Sequence, residues 1–249
     1  MMLEARCLWI SRGEAQVLRG VRLALVPGQV TAICGPNGAG KSSLLAALAG
    51  LEDDAGPAVA LDGETLSALA AEERARRIGY LPQDGGVAWN LSVAALVRLG
   101  RLPWRTGAAE DGAAVAEALA ALDLEDLAVR QVRSLSGGER ARALLARVLA
   151  GRPHWILADE PLAALDLSHQ LALARRFRAL AAGGAGVVLV IHDLALAMNQ
   201  ADRVVVLSNG SVAADGPPGE ALDPAVIERV WGVRARWLGE EGARALATG

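Results

Sequence analysis

Short, unbroken apolar runs at residues 30–34, 155–158, 187–191 and 204–207 set the frame of this chain. They have the length of strands and lack the polar alternation of a half-wetted strand, so they read as strands covered on both faces. Between them the hydrophobic period changes. In 140–150, Ala141, Leu144, Leu145 and Val148 recur at helical spacing with Arg140 and Arg147 off the stripe, which predicts an amphipathic helix ended by Gly151 and Pro153. Residues 44–49 form a further helical pattern closed by Gly50, and residues 170–182 another. Up to Gly63, short apolar runs are parted by turn signals at Ser11-Arg12-Gly13, Pro27-Gly28 and Asp62-Gly63, as expected of strands around one helix. From about Gly85 to Gly151 the texture becomes alanine- and leucine-rich, as in 115–122, and predicts an inserted helical subdomain. The expectation is one α/β domain: a core of about 1–84 and 152–249, and a helical subdomain of about 85–151. Its sheet is parallel-rich, with ligands gathered at the carboxyl ends of the strands.

Composition narrows the class. At 249 residues the chain can bury a substantial core, and alanine inflates its 53% hydrophobic fraction. No apolar run nears the roughly 18 residues of a membrane span. The opening Met1-Met2-Leu3-Glu4-Ala5-Arg6 lacks the apolar core and cleavage site of a secretory signal, so a cytoplasmic location is expected. A net charge of −3 with both signs scattered argues against a nucleic-acid partner. Cys7 and Cys34 lie in apolar, strand-like stretches and are expected to be buried structural thiols. Trp89, Trp104, Trp155, Trp231 and Trp237 are expected to pack in the core. His154 and His169 have no second ligand at metal spacing and read as surface or helix-flanking residues.

One position stands apart. Lys41 is the only lysine, all 24 other basic residues being arginine, and it sits in Gly35-Pro36-Asn37-Gly38-Ala39-Gly40-Lys41-Ser42-Ser43. A compact ammonium fits beside phosphate oxygens where a planar guanidinium does not. Strand, glycine-rich loop and helix follow one another here. Backbone N–H groups and the helix N-terminus can therefore cradle phosphates, and the Ser42 hydroxyl can ligate Mg²⁺.

The remaining motifs fall in a telling order. Leu135-Ser136-Gly137-Gly138-Glu139 precedes the apolar run that ends in Asp159-Glu160, and the run 187–191 ends in His192-Asp193. With the phosphate loop, they make the chain resemble the nucleotide-binding subunit of ATP-binding cassette (ABC) transporters over nearly its whole length. The resemblance implies a P-loop NTPase core, an N-terminal antiparallel β subdomain and an inserted α-helical subdomain. It also implies ATP as substrate with Mg²⁺ as cofactor. Residues 35–42 match the Walker A loop, followed by Ser43. Gln83 in Tyr80-Leu81-Pro82-Gln83 matches the Q-loop, a metal contact and catalytic-site residue. Asp159 matches the Walker B aspartate that holds Mg²⁺ with Ser42; Glu160 matches the catalytic glutamate and His192 the switch histidine at the γ-phosphate. Ser136, Gly137 and Gly138 match the signature that faces ATP bound by a second subunit, and Asp166 closes the D-loop, so a head-to-tail homodimer is implied. The chain departs from the family at Arg12, which aligns with the adenine-stacking aromatic and has Trp9 nearby. It departs again in the D-loop, Pro161-Leu162-Ala163-Ala164-Leu165-Asp166, which lacks the usual hydroxyls.

With no membrane span of its own, such an ATPase would serve a separate integral permease at the cytoplasmic face of the inner membrane, fed by a periplasmic or surface substrate-binding protein. Leu99-Gly100-Arg101-Leu102-Pro103-Trp104 and residues 223–233 resemble the ATPases of iron-siderophore, haem and cobalamin importers. Two alternatives stay open: a non-transport cassette ATPase working on a nucleic-acid or ribosomal partner, and a nucleotide-binding regulator that does not turn over. Tandem cassettes, a coiled-coil insertion or a basic face would mark the first, and none is visible. The intact Glu160 and His192 disfavour the second.

Overall fold

The computed structural model describes residues 2–83, 91–163 and 165–249. In chain order, β1 (Leu3–Arg12) and β2 (Ala15–Leu25) form a hairpin, followed by β3 (Val30–Cys34), α1 (Lys41–Leu48), β4 (Val59–Leu61), β5 (Glu64–Thr65), α2 (Ala71–Arg77) and β6 (Ile78–Leu81). Helices α3 (Val93–Arg98), α4 (Ala108–Ala120) and α5 (Gly137–Ala150) come next, then β7 (Trp155–Asp159), α6 (Leu167–Ala182), β8 (Gly186–Val190), α7 (Leu194–Gln200), β9 (Arg203–Ser208) and β10 (Ser211–Gly216). The chain finishes with α8 (Pro218–Ala221), α9 (Pro224–Trp231), β11 (Ala235–Leu238) and β12 (Ala245–Thr248).

The central sheet has six strands in the order β10-β9-β3-β8-β7-β6 and is parallel except for the β9–β10 hairpin. A second, antiparallel sheet runs β2-β1-β4-β5. The unbroken apolar strands are covered on both faces, as their lack of alternation predicts. Val30, Ala32, Cys34, Val187 and Leu189 enter one core, shared with α4, α5 and α6. Their neighbours Ile33, Val188 and Val190 enter a second core, shared with α1 and the antiparallel sheet. Alternate side chains thus serve opposite layers, and each strand is pinned between helices and a β layer.

Helix boundaries run earlier than periodicity indicates. Helix α5 begins at Gly137 because Ser136 and Glu139 form a capping box, and α6 begins at Leu167 because Asp166 caps it. The segment 99–104 folds around Arg101, which is 3% exposed. Its guanidinium bonds Asp111 at 2.8 Å and the Ala150 carbonyl at 3.2 Å, and lies over the Trp104 ring.

One expectation needs correction. Cys34 is buried, but Cys7 is exposed. Strand β1 changes register between Ala5 and Leu8, and Cys7 adopts φ 61°, so the inward alternation skips a residue and the thiol turns to solvent. Of the tryptophans, Trp155 is fully buried and Trp104, Trp231 and Trp237 half-buried, whereas Trp89 and the start of the helical segment at 85 lie outside the described residues.

Candidate functional site

Strands β3, β8, β7 and β6 are neighbours and parallel, so their carboxyl ends open on one edge of the sheet. The phosphate loop follows β3, His192 follows β8, Asp159 and Glu160 end β7, and Gln83 follows β6. Topology alone brings together residues that are distant in sequence.

The loop from Gly35 to Gly40 depends on glycine where it approaches other backbone. A Cβ on Gly35, at φ 153°, would stand 2.3 Å from the Leu207 carbonyl oxygen. One on Gly40, at φ 97°, would meet Leu18 at 2.7 Å and the Val17 oxygen at 2.9 Å. Lys41, 6% exposed, reaches back along the loop, its Nζ donating to the Gly35 and Pro36 carbonyls at 2.9 Å each. Burial lowers its pKa, while the nearby carboxylate of Glu160 above all, and that of Asp159, oppose the shift. An ammonium folded back on its own loop is placed to exchange carbonyl oxygens for phosphate oxygens.

Glu160 is held from two sides. Gln83 Nε2 donates to its Oε2 at 2.9 Å, and His192 Nε2 donates to Oε1. The residue sits at φ 50°, in a left-handed conformation uncommon outside glycine, just where the strand gives way to a turn. Each carboxylate oxygen keeps acceptor capacity beyond these bonds, so the pair of donors can orient Glu160 while leaving it able to accept a proton from water.

Asp159 differs from its neighbour. It is 4% exposed, and burial raises its pKa, offset by a hydrogen bond from the Ser42 hydroxyl. Its Oδ1 is buried without a hydrogen-bond partner. A buried carboxylate oxygen left unpaired beside a serine hydroxyl is costly unless something cationic completes it. The oxygen donor set suits a hard divalent ion such as Mg²⁺, which takes few protein ligands and keeps waters.

The signature lies apart from this cluster in its bonding, whereas the D-loop meets it through the Ala163 N–H, which donates to the Glu160 carbonyl at 3.2 Å. The Ser136 Oγ accepts the Glu139 N–H at 3.2 Å while Glu139 Oε2 accepts the Ser136 N–H at 2.8 Å, so the segment satisfies itself. The backbone bond from Ser136 is the chief reason that the Glu139 pKa is lowered. Gly137 and Gly138 form the first turn of α5, and Ser136 and Gly137 are exposed. Asp166 Oδ1 accepts from the His169 N–H, the Ser168 hydroxyl and His169 Nδ1, and its pKa is lowered to about 2, first by the backbone bond. Ala164, between them in the D-loop, lies outside the described residues.

Asn37 and Gly38 lie exposed on the outer turn of the phosphate loop, Ala39 is buried beneath it, Ser42 is exposed and Ser43 buried. The guanidinium of Arg12, the candidate for the base, pairs with Glu52 at 2.6 Å, and Trp9 lies half exposed over Gly20. Sequence reasoning did not single out Glu52 or the bonds of His169 to Asp166. The Asp-x-x-His spacing, in which a helix-capping aspartate meets an imidazole one turn on, was the available signal for the second.

An open groove of about 560 Å³ lies between Leu51, Ile78 and Tyr80 on one side and Leu99, Leu102 and Arg147 on the other. It is bridged where Arg76 of α2 donates to the Pro103 carbonyl at 2.7 Å.

Residues 18–163 match the protein-family model described as ABC transporter. Over 232 residues the chain is 47% identical to the hemin import ATP-binding protein HmuV of Rhodococcus jostii, covering 92% of this chain and 80% of that protein. Among solved structures, an ATP-binding subunit of an ABC transporter matches with TM-score 0.79 at 28% identity, covering 94% of this chain and 95% of that one. A dimeric bacterial ABC transporter cassette, MJ0796, matches with TM-score 0.77 at 27% identity, covering 88% and 99%.

Proposed function

The chain belongs to the ABC transporter ATP-binding family, and from that premise we propose that it hydrolyses ATP to energise import of a metal chelate, with haem the first candidate, through a separate membrane permease. The convergence of the phosphate loop, Asp159, Glu160, Gln83 and His192 at adjacent strand ends carries the ATPase reading. The likeness to hemin import ATP-binding proteins supports the cargo class.

In this reading the phosphate-loop N–H groups and Lys41 bind the β- and γ-phosphates, and Glu160 accepts the proton of the attacking water. His192 and Gln83 fix the carboxylate and approach the γ-phosphate. Asp159 and Ser42, with Gln83, would hold Mg²⁺, which when bound supplies charge neutralisation on the phosphates. Arg12 serves the adenine through its guanidinium plane, oriented by Glu52. Ser136, Gly137 and Gly138 offer the start of α5 to the triphosphate of a second copy, and Asp166 lies beside them, so two chains pair head to tail. The dimeric form of a related cassette supports the pairing of two chains.

No helix among the described residues is long and apolar enough to cross a membrane, and the groove between α2 and the α3–α5 helices suits an amphipathic helix of the permease. The core is then about 1–84 and 152–249 and the helical subdomain about 85–151, rotating on ATP binding to move that helix. The protein acts at the cytoplasmic face of the membrane, with a substrate-binding protein upstream.

The test is co-purification with a polytopic membrane partner, followed by reconstitution in vesicles. Haem-loaded binding protein should stimulate hydrolysis. Stimulation by a non-chelate cargo alone would overturn the cargo class, and absence of ATP hydrolysis with the partner present would overturn the ATPase role.

A further inference from the structure

His169 carries bonds that neither a helix-flanking residue nor the nucleotide site requires. Its Nδ1 lies 2.8 Å from Asp166 Oδ1, the same oxygen that accepts the His169 N–H at 3.0 Å. A carboxylate only accepts, so Nδ1 carries the proton and the ring is fixed in orientation. That ring faces the start of the signature helix. A Cβ placed on Gly138 would stand 3.8 Å from the His169 Cγ and 3.5 Å from Leu165 Cδ2, both ordinary van der Waals distances, so these two side chains face the first turn of α5 across about the width of a methyl group. The next residue, Gln170, donates from Nε2 to the Leu162 carbonyl at 3.1 Å, stitching the other end of the D-loop to α6.

The juxtaposition joins two helices with different neighbours. Helix α5 packs with α3 and α4 and along β6 at the edge of the central sheet, whereas α6 lies against β3 and β8 in its middle. Without His169, the first turn of α5 would meet the D-loop end through Leu165 alone among these two side chains.

We propose that His169 is a positioning residue that braces Asp166 against Gly138, so that the D-loop and the signature of one chain are presented to the partner's triphosphate as a single rigid unit. This rests on the head-to-tail reading above. The donor at Nδ1 holds the D-loop end and the ring body holds the helix start. Rotation of the α3–α5 helices thereby carries the D-loop with it.

The test uses the full chain with Mg-ATP in a Glu160→Gln background, reading dimerisation by light scattering, together with kcat and KM in the otherwise native chain. His169→Ala should weaken dimerisation and lower kcat by about tenfold, with monomer nucleotide affinity, KM and melting temperature little changed. His169→Asn keeps a donor at the Nδ1 position and should recover most of the loss; His169→Phe keeps the ring without the donor and should recover less. Recovery by Phe but not by Asn would overturn the brace, as would a loss in KM with kcat intact. If His169→Ala does not fold, the Asn and Phe variants decide between the same outcomes. If Glu160→Gln with His169 present stays monomeric in ATP, the head-to-tail reading itself fails; if it dimerises and His169→Ala dimerises and turns over equally well, only the brace fails.

Discussion

The strand-end cluster and the signature segment handle their polar groups in opposite ways. At the strand ends, candidate groups are tied down by side-chain bonds: Lys41 to the carbonyls of its own loop, Glu160 to Gln83 and to His192. The exception, Asp159 Oδ1, is buried and unpaired. Among the described residues the signature serine instead bonds within its own first helical turn, through the reciprocal Ser136–Glu139 pair, and it is exposed. A site that is internally wired can hold its reactants in one chain. A self-capped helix start has its local bonds satisfied and its remaining N–H groups available to an anion brought by something else.

The comparison breaks most sharply at Glu160. Glu160→Gln should reduce hydrolysis by about 10² to 10³ while Mg-ATP still binds, because the phosphate loop is untouched. Equilibrium binding and phosphate release measured on one preparation check this, and unreduced hydrolysis would remove Glu160 from its assigned role.

Ser136→Asp sharpens the other half. Aspartate caps a helix about as well as serine, so the melting temperature should hold. An acid aimed at a second chain's triphosphate should nonetheless lower turnover by at least about tenfold. Native turnover in that variant would show that the helix start meets no phosphate.

Gly35→Ala tests the wiring mechanically. The added methyl meets the Leu207 carbonyl at 2.3 Å, and a loss of about 1–3 kcal/mol in chemical denaturation is expected. The same change at Gly38, where nothing lies within 4 Å, meets no such obstacle and strains only the positive φ.

The smallest effect is pH-dependent and belongs to the signature side. Asp166 has a folded pKa of about 2, below the unfolded value of about 3.9. Its ionised form therefore stabilises the fold fully above the unfolded value, and the contribution disappears as pH falls through about 2. Asp166→Asn should lower the melting temperature at neutral pH, with the gap closing in strong acid. A gap that does not change with pH would show that the charge contributes nothing.

Much of the strand-end cluster was legible because its parts are local. A glycine-rich loop after an apolar run, or two acids closing another, needs only a strand on one side to be read. The order of the strands in the sheet was not legible, and it is what makes Gln83 and His192 neighbours of Glu160. The signature side was readable as motif but not as bonding. Where Arg12 goes depends on Glu52, forty positions away, and the outward turn of Cys7 depends on one extra residue in β1 that no local pattern announces. Cys7 and Cys34 make that last difference measurable. Burial pushes the Cys34 thiol up to about 12, while hydrogen bonds from Trp9 and Arg22 lower that of Cys7, so mild alkylation of the folded chain should modify Cys7 alone.

The solitary lysine gives the molecule a built-in reporter. Among its side chains only Lys41 bears a primary amine, and that amine is tucked against two carbonyls of the loop it would share with a triphosphate. Acylating reagents thus have one internal target, whose modification rate reads occupancy of that loop directly, without a label introduced anywhere else.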